Sequence, residues 1–170
     1  MTMPTKTTAS IAQAFLAELD AEMPPTRRLL ERVPSDKGEW KPHPKSFSLA
    51  HLAQLVARMP GWVTHTMKQD SLDLSSAPKY SNEKTEALLA EFDRCVKEAK
   101  DALAKAKDDD FSVPWSLTMG DRVLMTMPRL AVMRQNINHL AHHRGQLTVY
   151  LRLLDVPIPS IYGPTADEPW

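Results

Sequence analysis

"NHLAHHRGQLTVYL", residues 138–151, places three of the chain's six histidines within five positions. Together with its flanks it reads as one long helix from about Pro128 to Leu154. Successive helical residues advance by about 100°, so His139 and His143 lie about 40° apart, one turn above the other, and both can reach a single ion. Measured from His139, Tyr150, Leu154, Leu147 and Leu140 fall between about 20° and 100° on one side, and Gln146, Leu153 and Val149 within about 80° on the other. The pair is therefore expected to point into the protein interior, with Arg144, Thr148 and Arg152 on the opposite, solvent side. His142 projects about 100° from His143 and reads as a flanking or interface residue.

Two adjacent inward imidazoles need partners, because each carries one donor and one acceptor nitrogen that water no longer serves. A divalent metal answers this by taking a lone pair from each, with acceptors around the site holding the other nitrogens. A hydrogen-bonded polar patch of core is the alternative. The protease-type zinc helix is excluded, since the position of its general-base Glu is Leu140. Neither a nucleophile elbow nor a glycine-rich phosphate loop occurs. The "DDD" run at 108–110 reads as a solvated turn, lacking the spacing of a calcium loop. Gly145 interrupts the helix, marking either close approach of another backbone or simple tolerance.

Working outward, a chain of 170 residues suits one domain, residues 1–170, burying roughly 70% of the surface its unfolded form exposes. Five glycines and long stretches of helix-period spacing argue against an all-β fold. The first helix is expected from Ser10, an N-cap, through "IAQAFLAELDAEM" and "RRLLERV", with Pro24 and Pro25 kinking or restarting it. A second starts near Ser48 and carries Leu52, Leu55, Val56, Met59 and Val63 on one face, bent by Pro60. A third spans about Asn82 to Lys105. Between the third and fourth, "WSLTMGDRVLMTM" flanks Gly120-Asp121 with two β-prone runs and predicts a small hairpin. The proline-rich tail "DVPIPSIYGPTADEPW" cannot continue a helix, yet its Ile158, Ile161 and Tyr162 are expected to pack back onto the bundle.

Lys plus Arg and Asp plus Glu both number 21, with no basic block interleaved with aromatics, so nucleic acid is not an expected partner. The single Cys95 rules out an intramolecular disulfide and a cysteine metal cage, and fits a reducing cytoplasm. No apolar run approaches a membrane span, and "MTMPTKTTAS" lacks the hydrophobic segment of a secretion signal.

"INHLAHHRGQLTVYLRLLDVPIPSIYGPTADE" resembles the final helix and tail of the DinB family, and "EWKPHPKSFSLAHLAQLVARMPGW" resembles its second-helix region. The resemblance implies an all-α four-helix bundle of DinB type, often a homodimer. It also implies a divalent metal, zinc or nickel first, held by one histidine of the second helix and an H-x-x-x-H pair of the last. His139 and His143 match that pair. The family's second-helix register falls on Leu55 here, and His51, one turn earlier, is the histidine this chain offers; His43 and His65 are fallbacks. Relatives of this architecture include thiol-dependent transferases and isomerases. The resemblance thus implies a small-molecule substrate, a low-molecular-weight thiol as co-substrate, and transfer or metal-assisted hydrolysis, with a metal-free scaffold as the competing expectation. Gln146 and Tyr150 lie near the direction of His139 and are candidates to orient substrate. Tyr162, Asp167 and Glu168 are candidates from the tail, with Glu168 or Asp167 as the candidate base.

Overall fold

The computed structural model describes residues 9–169. Four helices form the body: α1 (Ile11–Leu30), α2 (Leu49–Lys68), α3 (Thr85–Leu103) and α4 (Arg129–Leu153). Ser10 caps α1 as expected, in a reciprocal capping box with Gln13, and Ser48 caps α2 by accepting from the amide of His51. Pro24 and Pro25 lie inside an unbroken α1, and Pro60 inside α2. Thr26 and Thr66 turn their hydroxyls onto carbonyls four residues back, Glu22 and Trp62 respectively. The tail of α3 ends two residues short of the expected Lys105, and its start is three residues later than Asn82.

α2 is the central helix, packed against α3 on one side and α4 on the other, while α1 packs on α3. Leu19, Leu29, Leu30, Leu52, Val56, Phe92, Leu103, Met133, Leu147 and Leu151 meet in the shared core with almost no exposed surface. The expected hairpin is present as β2 (Pro114–Met119) and β3 (Arg122–Pro128), antiparallel with an irregularity between Leu117 and Thr118. Gly120 turns it at φ 56°, a conformation that suits glycine. The hairpin is not alone, however. A three-residue strand, β1 (Ser71–Asp73), pairs parallel to β2 and makes the sheet three-stranded. Three residues carry too little periodicity to announce a strand; Asp73 fixes this one by accepting from the Gly120 amide at 2.9 Å. Among the described residues no helix is long and apolar enough to cross a membrane.

The structure overturns one part of the reading of α4. Arg144 does not face solvent; it is among the largest fully buried side chains, 1% exposed. With His143 as zero, Leu140, Leu147, Leu151 and Met133 fall between about 40° and 80°, and Arg144 at about 100°. The buried face is centred there, so the histidines stand at its edge. Val149 and Leu153, expected inward, are 57% and 58% exposed.

Arg144 reaches α1 across the bundle. Its guanidinium donates to the Glu22 carbonyl at 3.1 Å, to Thr26 Oγ1 at 2.8 Å and to the Glu22 carboxylate at 2.5 Å. Tyr162, from the tail, closes the cluster: its hydroxyl donates to the Glu22 carboxylate and accepts from Arg144, and its ring lies 5.0 Å from the guanidinium carbon. A buried charge is tolerated only when paired and hydrogen-bonded, and this one is both. The tail packs back as expected, held further by Ile158 in the core and by Asp167, which pairs with Arg152 and accepts from the Ile158 amide.

Gly145 has open space around the position a Cβ would take, with nothing within 4 Å, so no other backbone approaches it. Gly145→Ala is expected to raise the unfolding free energy by about 0.5–1 kcal/mol in chemical denaturation, through the helix preference of alanine. A loss of stability would show that Gly145 is required for a contact absent here.

Candidate metal centre

Helix α4 carries His139 and His143 on one edge, and their Nε2 atoms converge to 2.8 Å. On the far side of the His143 ring, Nδ1 stands 2.7 Å from Gln146 Oε1. An amide oxygen can only accept, so Nδ1 carries the proton and Nε2 is the acceptor of a hydrogen bond that His139 Nε2–H donates. An acceptor behind one imidazole nitrogen, with the other nitrogen turned to a common point, is how protein scaffolds prepare histidine to ligate a metal. A divalent ion would take the place of the proton shared by the two Nε2 atoms, so the donor set fits one as far as these two ligands go.

His51 comes from the first turn of α2. Its ring is sandwiched between Phe47 and Tyr80, with ring centroids 4.1 and 3.9 Å away, both stacked. It lies near enough to His143 for charge on that ring to oppose its protonation. Leu55, the position the family register would fill, is buried in the core. Among the described residues no group of three histidine, cysteine or carboxylate side chains converges on one point.

Aromatic side chains border the centre. The Trp62 ring meets His139 edge-on at 5.3 Å, Phe47 lies 6.4 Å from His143, and His142 packs at 4.9 Å on the other side of His143. Tyr150 donates to the Phe47 carbonyl at 3.2 Å and meets Trp40 edge-on. Gln146 and Tyr150 are therefore both brought to the centre, the first directly on His143 and the second through Phe47. Glu168 is engaged elsewhere: it accepts from the Ser160 amide at 2.8 Å and pairs with Arg28 and Arg32 of the α1 end. Its hydrogen bonds fasten the tail. His43 accepts from the Lys45 amide in an exposed turn, and His65 faces Gln69. The aromatic border was not legible beforehand, since Phe47, Trp62 and Tyr80 stand on three segments that only folding brings together.

Burial depresses the basicity of His139, His143 and His51 below the ordinary imidazole value of 6.5; neighbouring basic groups act in the same direction, and at His143 the hydrogen bond to Gln146 opposes the shift without cancelling it. The folded chain therefore keeps these rings neutral at a pH where the unfolded chain takes up protons. Stability from this source is complete above about pH 6.5 and is lost as the pH falls through the lowered values. Metal-free protein is expected to show a falling urea midpoint from pH 7 towards pH 5, and the fall is expected to flatten in the His139→Gln, His143→Gln double variant. An equal fall in both proteins would assign the acid sensitivity to other groups.

A four-helix bundle whose last helix presents an H-x-x-x-H pair, closed by a folded-back tail, defines a recognisable class. The chain belongs to the DinB family, whose family model matches residues 3–169. Two solved structures share the fold. A DinB-like protein from Bacillus cereus ATCC 10987 superposes with a TM-score of 0.68 at 21% identity, covering 87% of this chain and 95% of that one. The DinB-like protein YjoA from Bacillus subtilis gives 0.68 at 16% identity, covering 87% and 97%. At these identities the likeness concerns the fold. The uncharacterized protein YrdA of Bacillus subtilis strain 168 is 43% identical over 42 residues, a match spanning 25% of this chain and 25% of that protein.

Proposed function

We propose that the chain is a metal-dependent enzyme acting on a small molecule, with His139 and His143 as two ligands of a divalent ion and His51 as the third. The observation that carries this reading is the convergence of the two Nε2 atoms at 2.8 Å, with Gln146 holding the opposite nitrogen of His143. Neutral histidines leave the positive charge of a bound zinc or nickel uncompensated, and such an ion lowers the pKa of a bound thiol or water. The reaction class is thiol-dependent transfer, with a low-molecular-weight thiol as co-substrate, or hydrolysis. In either, this chain's own residues bind and orient. Gln146 fixes the His143 ring, Trp62 and Phe47 give the organic part of a substrate apolar surface, and Tyr150 braces the loop that carries Phe47. A homodimer is part of the proposal and is read by sedimentation velocity.

One observation favours a second reading, a metal-free binding bundle: among the described residues no third histidine, cysteine or carboxylate converges with His139 and His143. Elemental analysis of untagged protein separates the two. Near one equivalent of metal per chain, lost in His51→Ala, is the outcome expected for the enzyme, because stacking leaves the edge nitrogen of His51 open and two histidines alone hold a divalent ion weakly. Absence of metal after incubation with zinc and with nickel would overturn the enzyme reading in favour of the binding bundle.

A further inference from the structure

A cavity of about 370 Å³ lies between α2, α3 and the segment 72–80 that roofs it. Its size falls in the range of small-molecule sites, about 300–1,000 Å³. It is separate from the gap between the histidines, yet it shares two walls with their surroundings. Trp62, which meets His139 edge-on, lines it, and so does Tyr80, which stacks on His51.

The lining chemistry restricts the occupant. Its two arginines are engaged: Arg58 with Glu91 at 2.9 Å and under the Tyr80 ring at 5.3 Å, Arg94 with Glu98 at 2.9 Å. Three carboxylates, Asp73, Glu91 and Glu98, border the space against those two guanidiniums. The remaining basic side chain of the lining, His65, turns Nδ1 to Gln69 Oε1 at 3.3 Å, so among the described residues no lysine or unpaired arginine borders the space, and an entering carboxylate or phosphate would lose hydration beside three carboxylates. A cation meets the Asp73 carboxylate, the one lining acid not paired with an arginine, and the Trp62 indole adds aromatic surface, while the Tyr80 ring, already stacked on His51 and covered by Arg58, completes the wall. The Cys95 thiol, 4% exposed, forms part of the floor; burial raises its pKa, so it contributes contact surface.

We propose that this cavity is a binding site for a small planar molecule, neutral or cationic, such as an aromatic amine. The occupant lies against Trp62 and Tyr80 and is thereby sensed at the histidine centre. The reading does not depend on a metal, and its test is made with a chelator present so that failure of the metal proposal leaves it standing. Benzylamine and benzoate, alike in shape and opposite in charge, are titrated into ¹⁵N-labelled protein. The readout is the indole N–H resonance of Trp62, assigned by its disappearance in Trp62→Phe. A saturable shift with benzylamine is expected, at an affinity about tenfold above that for benzoate. Ala77→Trp, on the exposed roof of the cavity, is expected to abolish the benzylamine shift while the spectrum stays dispersed. No saturable shift with benzylamine, equal affinity for benzoate, or an undiminished shift in Ala77→Trp would each overturn the proposal.

Discussion

Arg144→Met is expected to lower the unfolding free energy by about 3–5 kcal/mol, the cost of leaving a buried carboxylate without its counter-charge. The side chains of Arg144 and Glu22 are 2% and 10% exposed, so water cannot replace the lost partner. The Tyr162 hydroxyl would still donate to Glu22, but one phenol does not compensate a full charge. For a domain of this length the loss corresponds to a fall in Tm of roughly 6–20 °C. Changing both partners to apolar residues, Glu22→Leu with Arg144→Met, is expected to recover most of the stability, because the penalty belongs to the orphaned charge. Urea unfolding of the two variants checks this. A loss in Arg144→Met below about 1 kcal/mol, the range of exposed pairs, would mean that the cluster is hydrated and does not tie α4 to α1.

His143→Ala is expected to weaken zinc binding at least about a hundredfold, more than the loss of a group behind a ligand, which costs about 10–100-fold. His143 supplies a nitrogen whose lone pair already faces His139, and Gln146 prevents the ring from turning away. His142→Ala, which removes the neighbouring exposed ring, is expected to change the affinity little. Competition with a chromophoric chelator measures both, and far-UV circular dichroism establishes that each variant is folded. Zinc binding undiminished in His143→Ala would place the ion on other residues and end the assignment of the pair as ligands.

The two variants concern neighbouring residues on one helix, and they mark where the sequence was legible. The spacing of His139 and His143 fixed their common edge, because a four-residue step on any helix returns to nearly the same direction. That edge does not depend on which face of α4 is buried. The buried face is not legible in the same way, because α4 carries apolar residues nearly all round: Leu140, Leu147 and Leu151 are buried, while Val149 and Leu153 are exposed. Periodicity then cannot tell inside from outside, and Arg144, opposite the histidine pair and on the side of Thr148 and Arg152, reads as exposed in the sequence although it is core in the fold. Its partner Glu22 is 122 residues away and Tyr162 arrives from the tail. No local pattern records such an encounter.

By itself the sequence determined the cap at Ser10, the start of a helix near Ser48, the four helices, the hairpin about Gly120, the return of the tail and the pairing of His139 with His143. These follow from interactions within a few residues, where backbone geometry dictates which side chains meet. Only the tertiary structure decided that Arg144 is core, that Glu168 holds the tail against Arg28 and Arg32, that His51 sits between Phe47 and Tyr80, and that Trp62 divides the histidine centre from a cavity. Each of those depends on segments far apart in the chain, joined by charge pairing, stacking or shared burial, whose free energy appears only once the helices have packed.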